Sequence, residues 1–210
     1  MPVKKLDLTL HVLVDPKQLA LDDILPFCRA IREGGATVVQ LRGKNSKGLE
    51  LFRYGTAFRN ATAQTGLGLI INDRVDVAIA VAADGVHIGQ EDLPLATVRH
   101  WAPHLVVGLS VGTVPELSVA QSSPPDYIGM GPVYSTLSKS DAGPSLGVDD
   151  FGVLCKEAQS LAPVVAIGGI QPSNAGAVWR AGADGIAVIS AVMSSPNRIE
   201  ACRQLLQARP

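Results

Sequence analysis

The strongest constraint on the fold is a regular alternation of short apolar runs with segments of helical periodicity. Eight runs rich in β-branched residues have the length of strands: residues 8–14, 37–41, 67–71, 85–88, 106–111, 127–130, 164–167 and 185–189. Segments with helical spacing lie between them, among them residues 22–33, 47–65, 75–82, 173–181 and 196–208. The runs are apolar throughout, which is typical of parallel strands covered on both faces.

Eight strand–helix units in 210 residues predict an α/β chain that folds as a single-domain (β/α)8 TIM barrel over residues 1–210. The composition, 47% apolar and 18% charged, supplies enough material for a sizeable core. A doubly wound open sheet is the alternative. No Gly-x-Gly-x-x-Gly follows the first strand, which weighs against a dinucleotide-binding version of that alternative.

The net charge and the cysteine spacing limit which binding partners and which cellular compartment we expect. A formal net charge of -1 provides no field that would attract nucleic acid or an anionic membrane. Cys28, Cys155 and Cys202 lie far apart without a CxxC pair, which suits neither a disulfide framework nor a zinc site. No apolar run is long enough for a membrane span. We therefore expect a cytoplasmic protein with small-molecule partners, and a monomer and a homo-oligomer are both compatible with the sequence.

Polar side chains cluster where the apolar runs stop. In a parallel barrel the carboxyl ends of all strands meet at one face, so residues distant in sequence become neighbours. The candidates for that face are Gln40, Arg42, Lys44, Asn72, Asp73, Gln90, Asp92 and Ser110.

This set contains one pair of basic residues and one pair of acidic residues. Arg42 and Lys44 flank Gly43 and could hold a pyrophosphate, the alternative being a solvated loop. Asp73 and Asp92 could share Mg2+, which commonly takes one or two carboxylates and leaves its other positions to water and phosphate. The alternative for the acids is a pair of salt bridges, with Arg74 the nearest candidate.

Two later segments predict further parts of a ligand site. Residues 131–143 form a long, hydroxyl-rich segment in which Lys139 adds a charge, and we expect it to close over a ligand, the alternative being a disordered surface loop. Gly168-Gly169 and Ser190 follow the seventh and eighth strands, where barrels often bind phosphate, although a tight turn also explains the glycines. His87 lies inside its strand and is either a core residue or part of the barrel mouth.

Asp84 and Asp184 occur in a repeated Ala-Asp-Gly phrase before the fourth and eighth strands. Because Asp-Gly is typical of a tight entry to a strand, we interpret both as turn residues without a catalytic role.

The motifs that carry these candidates resemble those of the thiamine phosphate synthase family. The resemblance covers most of the chain and rests on Val39-Gln40-Leu41-Arg42, Ile71-Asn72-Asp73-Arg74, Asp84-Gly85-Val86-His87 up to Asp92, Gly129-Met130-Gly131-Pro132, Ala166-Ile167-Gly168-Gly169-Ile170 and the segment from Gly185 to Ser190. It implies a TIM-barrel transferase that joins a hydroxymethylpyrimidine diphosphate to a hydroxyethylthiazole phosphate. The implied mechanism is dissociative and assisted by Mg2+.

The resemblance also implies a role for each candidate. Catalysis is assigned to Lys139, Arg42 and Ser110, and Mg2+ to Asp73 and Asp92. Pyrophosphate is assigned to Arg42, Lys44, Asn72 and Lys139, the thiazole phosphate to Thr136, Ser138, Gly169, Ile189 and Ser190, and the pyrimidine pocket to Gln40, His87 and Ser110.

The chain departs from the family pattern at two positions. Gly43 replaces an acidic residue between the arginine and the lysine, and Gly112 replaces the histidine of a Ser-x-His motif in the fifth strand. The similar thiazole tautomerases are thought to use that histidine for proton transfer, so Gly112 disfavours a tautomerase. A different phosphate-binding isomerase or epimerase and a non-catalytic thiazole phosphate-binding relative also stay open, because a fold alone does not fix a function.

Overall fold

The computed structural model describes residues 5–136, 138 and 143–209, in which eight parallel strands close into a barrel in sequence order, β1 to β8. Each strand pairs in parallel with its neighbours, and β8 closes the barrel on β1. The strands are Leu10–Val14, Val38–Leu41, Gly68–Asn72, Gly85–Ile88, Val106–Val111, Tyr127–Met130, Val164–Ile167 and Gly185–Val188. The predicted (β/α)8 barrel is therefore confirmed, and the open sheet is wrong.

Helices connect the strands on the outside of the barrel. Helices α1 to α9 are Ile24–Glu33, Gly48–Thr65, Val75–Ala80, Leu95–Trp101, Val114–Ser122, Val148–Ala158, Ala175–Arg180, Ser190–Met193 and Arg198–Gln207. Two 3-10 helices, Pro16–Gln18 and Leu21–Asp23, precede α1. None of the helices in the described residues is both long and apolar enough to cross a membrane.

The apolar strands bury both faces, as their unbroken hydrophobicity predicted. One cluster lies between the strands and the helices and includes Val39, Leu69 and Val107. A second fills the barrel interior and includes Ile70 and Tyr127. Complete burial of one such aliphatic side chain is worth about 1.5–3 kcal/mol, so the two clusters hold the sheet closed. The three cysteines are buried and free.

Aspartates at the starts of even-numbered strands link neighbouring strands at the amino end of the barrel. Each carboxylate accepts a hydrogen bond from a backbone N–H of the preceding strand: Leu69 N to Asp84 (2.9 Å), Val107 N to Asp126 (2.6 Å) and Val164 N to Asp184 (2.8 Å). The Thr37 hydroxyl serves β2 in the same way by accepting from Leu10 N at 3.1 Å. These contacts agree with the structural interpretation of Asp84 and Asp184.

We expect Asp84→Ala to lower the free energy of unfolding by about 1–3 kcal/mol, because it leaves the buried Leu69 N–H without its acceptor and removes the Arg59 ion pair. Asp76→Ala is the matched control, since it removes an exposed pair with Arg74 and should cost less than about 1 kcal/mol. Urea unfolding measures both. Equal losses in the two variants would contradict a linking role for Asp84.

His11 is a buried polar residue in the barrel interior. Its side chain is 1% exposed, and its Nε2 has no hydrogen-bond partner among the described residues. Its ring meets Tyr127 edge to face, with centroids 5.5 Å apart. Burial lowers the pKa of His11 to about 3, so the imidazole is neutral in the folded protein.

This burial predicts acid sensitivity. An unfolded histidine has a pKa of about 6.5, so between that pH and about 3 the unfolded chain binds more protons than the folded chain. The contribution of His11 to stability is therefore complete above the unfolded pKa and declines as pH falls towards the folded value. We expect His11→Phe to lose less stability than the parent protein between pH 6.5 and pH 4 in parallel urea titrations. Identical pH slopes for the two proteins would contradict this.

Candidate active site

The carboxyl ends of the strands surround a cavity of about 910 Å³, here called the acidic cavity. Its lining contains most of the candidates from the second to fifth strands, namely Arg42, Lys44, Asn72, Asp73, His87, Gln90, Asp92 and Ser110. Gln40 lies one layer deeper, 4% exposed, and its Nε2 donates to Asn72 Oδ1 at 2.9 Å. Gln40 therefore orients Asn72 from below, and its contact with the pyrimidine stays a prediction.

Asp73 and Asp92 meet at this cavity. Asp73 has a positive φ of 63° directly after β3, and its backbone N–H donates to His87 O at 2.7 Å. Asp92 Oδ2 accepts from Gly89 N at 2.7 Å, which holds the second carboxylate in place. Burial and then the charge of Asp92 raise the pKa of Asp73 to about 6, although Lys44 opposes the shift. The Asp73 anion is thus destabilised by burial and by the neighbouring charge of Asp92.

Arg74 does not neutralise this pair. Its guanidinium bonds to Asp76 with two contacts of 2.6 and 2.8 Å. The cation that approaches Asp73 is Lys44, whose Nζ lies 3.8 Å from Oδ2. The alternative that assigned Arg74 to the acids is therefore wrong, because the short Arg74–Asp76 spacing favours a local ion pair on the outer surface.

The acid pair fits a hard divalent cation. The two carboxylates are close enough to share a hydrogen bond in their protonated form, and a cation with oxygen preference would replace that proton. No cluster of three or more histidine, cysteine or acidic side chains with metal-binding spacing occurs in the described residues. Two carboxylates with substrate and water oxygens suit Mg2+, whereas zinc prefers a fuller set of protein ligands.

Gly43 lets the cationic loop pack closely. A Cβ at this position would lie 2.8 Å from Leu51 Cδ1 and 3.1 Å from the Ser46 side chain. A side chain at position 43 would therefore require the Leu51 and Ser46 side chains to shift. Arg42 and Lys44, on either side of Gly43, both line the acidic cavity.

Gly112 has a similar explanation. A Cβ there would lie 2.9 Å from the Gly131 carbonyl oxygen, so glycine lets the end of β5 approach the end of β6. The Gly112 N–H donates to Glu116 Oε2 at 2.5 Å. Gly112 itself carries no group that could take the place of the histidine in proton transfer, and its surroundings are the Gly131 carbonyl and the Glu116 carboxylate.

A second cavity of about 750 Å³, here called the glycine-turn cavity, adjoins the first. Its lining brings together all five residues assigned to the thiazole phosphate: Thr136, Ser138, Gly169, Ile189 and Ser190. Arg42 and Thr136 line both cavities. Ser138 N donates to Thr136 Oγ1 at 3.2 Å. Lys139 lies outside the described residues, so its assignment stays a prediction.

The turn after β7 requires glycine. Gly168 and Gly169 have φ values of 105° and 63°, and a Cβ at Gly168 would lie 2.5 Å from Pro132. Asn174 fixes the turn, because its Nδ2 donates to Gly169 O at 3.0 Å and its Oδ1 accepts from Gln171 N at 2.8 Å. Sequence reasoning missed Asn174, which stands in an ordinary helix-start sequence.

Three side chains from β4, β5 and β6 form a hydrogen-bonded chain below the mouth. His87 Nδ1 contacts Tyr127 Oη and its Nε2 contacts Ser110 Oγ, each at 2.9 Å. His87 therefore belongs both to the core and to the cavity wall. Sequence reasoning also missed Tyr127, and the only signal was the presence of Gly108 and Gly129 within neighbouring strands.

We expect Asn174→Ala to weaken phosphate binding by about tenfold, because losing its two bonds leaves the glycine turn free to rearrange. Calorimetric titration with hydroxyethylthiazole phosphate measures the affinity. Asn60→Ala, on the outer helix α2, is the control and should leave it unchanged. Equal affinities in the Asn174 variant and the parent protein would contradict the role of this side chain.

Comparison with known proteins identifies the family. The family model for thiamine monophosphate synthase matches residues 10–192. The thiamine-phosphate synthase of Methanospirillum hungatei is 46% identical over 87% of this chain and 92% of its own, and that of Azorhizobium caulinodans is 42% identical over 95% and 93%. A solved thiamine phosphate pyrophosphorylase from Pyrococcus furiosus superposes with a TM-score of 0.84 and 37% identity over 96% of this chain and 95% of its own. The chain belongs to the thiamine monophosphate synthase family.

Proposed function

We propose that this protein is a thiamine-phosphate synthase, a transferase that moves the hydroxymethylpyrimidine group from its diphosphate to hydroxyethylthiazole phosphate. The observation that carries the proposal is the sharing of Arg42 and Thr136 between the acidic cavity and the glycine-turn cavity. Two phosphorylated substrates could therefore bind side by side at one barrel mouth. A tautomerase would need only one of these sites.

In the proposed reaction the bond between the pyrimidine methylene carbon and the diphosphate oxygen breaks, and its electron pair leaves with pyrophosphate. The resulting cation is stabilised by resonance in the pyrimidine ring. The thiazole nitrogen then donates its lone pair to the methylene carbon and forms the C–N bond of thiamine phosphate. No proton has to be removed from either reacting atom, so the reaction does not need the histidine that Gly112 replaces.

The main task of the protein is to stabilise charge on the departing pyrophosphate. Arg42 and Lys44 lie at the acidic cavity, where fixed cations in a partly desolvated site lower the energy of a developing anion. Asn72, oriented by Gln40, would donate to a phosphate oxygen. Binding both substrates in adjoining cavities also brings the thiazole nitrogen towards the methylene carbon and reduces the entropy cost of the second step.

Mg2+ held by Asp73 and Asp92 would neutralise charge on the diphosphate, and this is the chemistry the ion supplies when bound. The raised pKa of Asp73 supports this assignment, because a cation would offset both its burial cost as an anion and the charge of Asp92. Lys139 and the segment of residues 131–143 would complete the site and keep water from the cation. Ser110 would contact the pyrimidine from the wall of the cavity.

We therefore propose the two small-molecule substrates and Mg2+ as the partners of this protein. We propose no nucleic-acid or membrane partner. Three free, buried thiols fit a reducing cytoplasm. A monomer and a homo-oligomer are both compatible with the sequence.

The direct test is incubation of the protein with both substrates and Mg2+, with thiamine phosphate and pyrophosphate followed by chromatography. We expect equal amounts of the two products and loss of both with a chelator. Asp73→Asn should weaken the apparent Mg2+ affinity by about 100-fold, because it removes one ligand charge.

Asp76→Asn is the control for that variant, since Asp76 is an exposed carboxylate on the neighbouring helix α3 and should leave the Mg2+ dependence unchanged. Product formation that is indifferent to chelation would contradict the metal assignment. No product from a folded protein that binds both substrates would contradict the synthase itself.

A further inference from the structure

The hydrogen-bonded chain of Tyr127, His87 and Ser110 spans the barrel from its core to the acidic cavity. Tyr127 is 1% exposed and His87 is 8% exposed, whereas Ser110 lines the cavity. The rings of Tyr127 and His87 lie 5.4 Å apart with a 32° angle between their planes. A buried polar contact of this kind connects a residue that no substrate touches to one that the proposed function places against the pyrimidine.

Two glycines provide the space for this chain. A Cβ at Gly108 would lie 2.1 Å from Tyr127 Cζ, and a Cβ at Gly129 would lie 2.6 Å from His87 Cε1. Any side chain at either position would collide with one of the two rings, so the barrel interior is built around them. The two rings are therefore held in one arrangement, and the hydrogen bonds between them have fixed partners.

The direction of these hydrogen bonds follows from the burial of Tyr127. Burial raises the pKa of Tyr127, so its phenol keeps its proton. In the described part of the chain, the acceptor within hydrogen-bond distance of this hydroxyl is His87 Nδ1. A buried O–H that donates to nothing is unfavourable, so Tyr127 donates and Nδ1 accepts.

The direction of the Tyr127–His87 hydrogen bond determines the tautomer of His87 and the orientation of the Ser110 hydroxyl. With Nδ1 as acceptor, the neutral imidazole carries its proton on Nε2, which donates to Ser110 Oγ at 2.9 Å. The Ser110 hydroxyl hydrogen then points away from His87. In the opposite tautomer, His87 Nε2 would accept the hydroxyl hydrogen of Ser110. Ser110 Oγ could then offer a ligand only a lone pair.

We propose that Tyr127 is a positioning residue that fixes the His87 tautomer, so that Ser110 presents an O–H donor to a ring nitrogen of the pyrimidine substrate. Pyrimidine ring nitrogens are acceptors, whereas an exocyclic amine would instead require the lone pair. This inference rests on the proposed function for the identity of the ligand. The hydrogen-bond polarity itself does not depend on turnover.

The first test is nitrogen NMR of histidine-labelled protein. In the parent protein, the His87 ring should show a protonated Nε2 and an unprotonated Nδ1, and Tyr127→Phe should shift population towards the Nδ1–H tautomer. His87→Gln identifies the His87 signals among those of the four histidines. A protonated Nδ1 in the parent protein, or an unchanged tautomer in the variant, would overturn the proposal whether or not the protein makes thiamine phosphate.

The second test is the affinity for hydroxymethylpyrimidine diphosphate, measured by calorimetry without the thiazole substrate. We expect Tyr127→Phe and Ser110→Ala each to weaken binding by about five- to tenfold, the effect of one hydrogen bond. The double variant should bind no more weakly than Ser110→Ala alone, because Tyr127 acts through Ser110. Tyr54→Phe is the control, since it also loses a hydroxyl bond, to Leu19 O at 3.0 Å, but lies outside the barrel.

Additive losses in the double variant, or no loss in Tyr127→Phe, would overturn the positioning role. Failure of the proposed function has a different signature, because the parent protein would then form no thiamine phosphate while its His87 tautomer could still be read. An affinity for the thiazole phosphate that falls together with that for the pyrimidine would show a general loss of structure and would also count against a specific role for Tyr127.

Discussion

Closure of a parallel sheet is the constraint on which the rest of this structure depends. Once eight strands run in the same direction around a barrel, all their carboxyl ends lie at one face and all their amino ends at the other. Asp84, Asp126 and Asp184 bond neighbouring strands at the amino ends, where they stabilise the sheet. Asp73 and Asp92 follow strands and meet at the other face. The same residue type thus has opposite roles according to which end of a strand carries it.

The interior of the barrel links these two faces. Its lining is mostly apolar, but it also contains the buried polar side chains of His11, Gln40 and His87. Two of these side chains bond to residues of the cavity wall: Gln40 bonds to Asn72, and His87 bonds to Ser110. The side chains at the cavity wall are therefore held by buried partners, which suits a site that works by preorganised charge.

Much of this arrangement could be predicted from the sequence, because its signals are local. A run of apolar residues predicts each strand. Polar residues directly after such runs must lie at one face if the strands are parallel and close into a barrel. The predicted bounds of β4, β5, β6 and β7 match the structure. Helix α5 was harder to predict, since it buries only Leu117 and Ala120 and shows little periodic pattern.

Side-chain contacts between neighbouring strands inside the barrel could not be predicted from the sequence. Tyr127 and His87 stand 40 residues apart, and their contact depends on register and on the space left by glycines. The partner of Arg74 failed as a prediction for a related reason, because nearness in sequence to Asp73 did not decide which carboxylate the side chain would reach. Asn174 fixes a turn through bonds that only the folded backbone creates.

We propose that two phosphate sites adjoin at one barrel mouth. A crystal structure with Mg2+, pyrophosphate and thiamine phosphate bound tests it most directly. We expect pyrophosphate and Mg2+ among Arg42, Lys44, Asp73 and Asp92, and the phosphate of thiamine phosphate on the turn at Gly169 and Ser190. Either phosphate group bound elsewhere, or both competing for a single one of the two cavities, would contradict it.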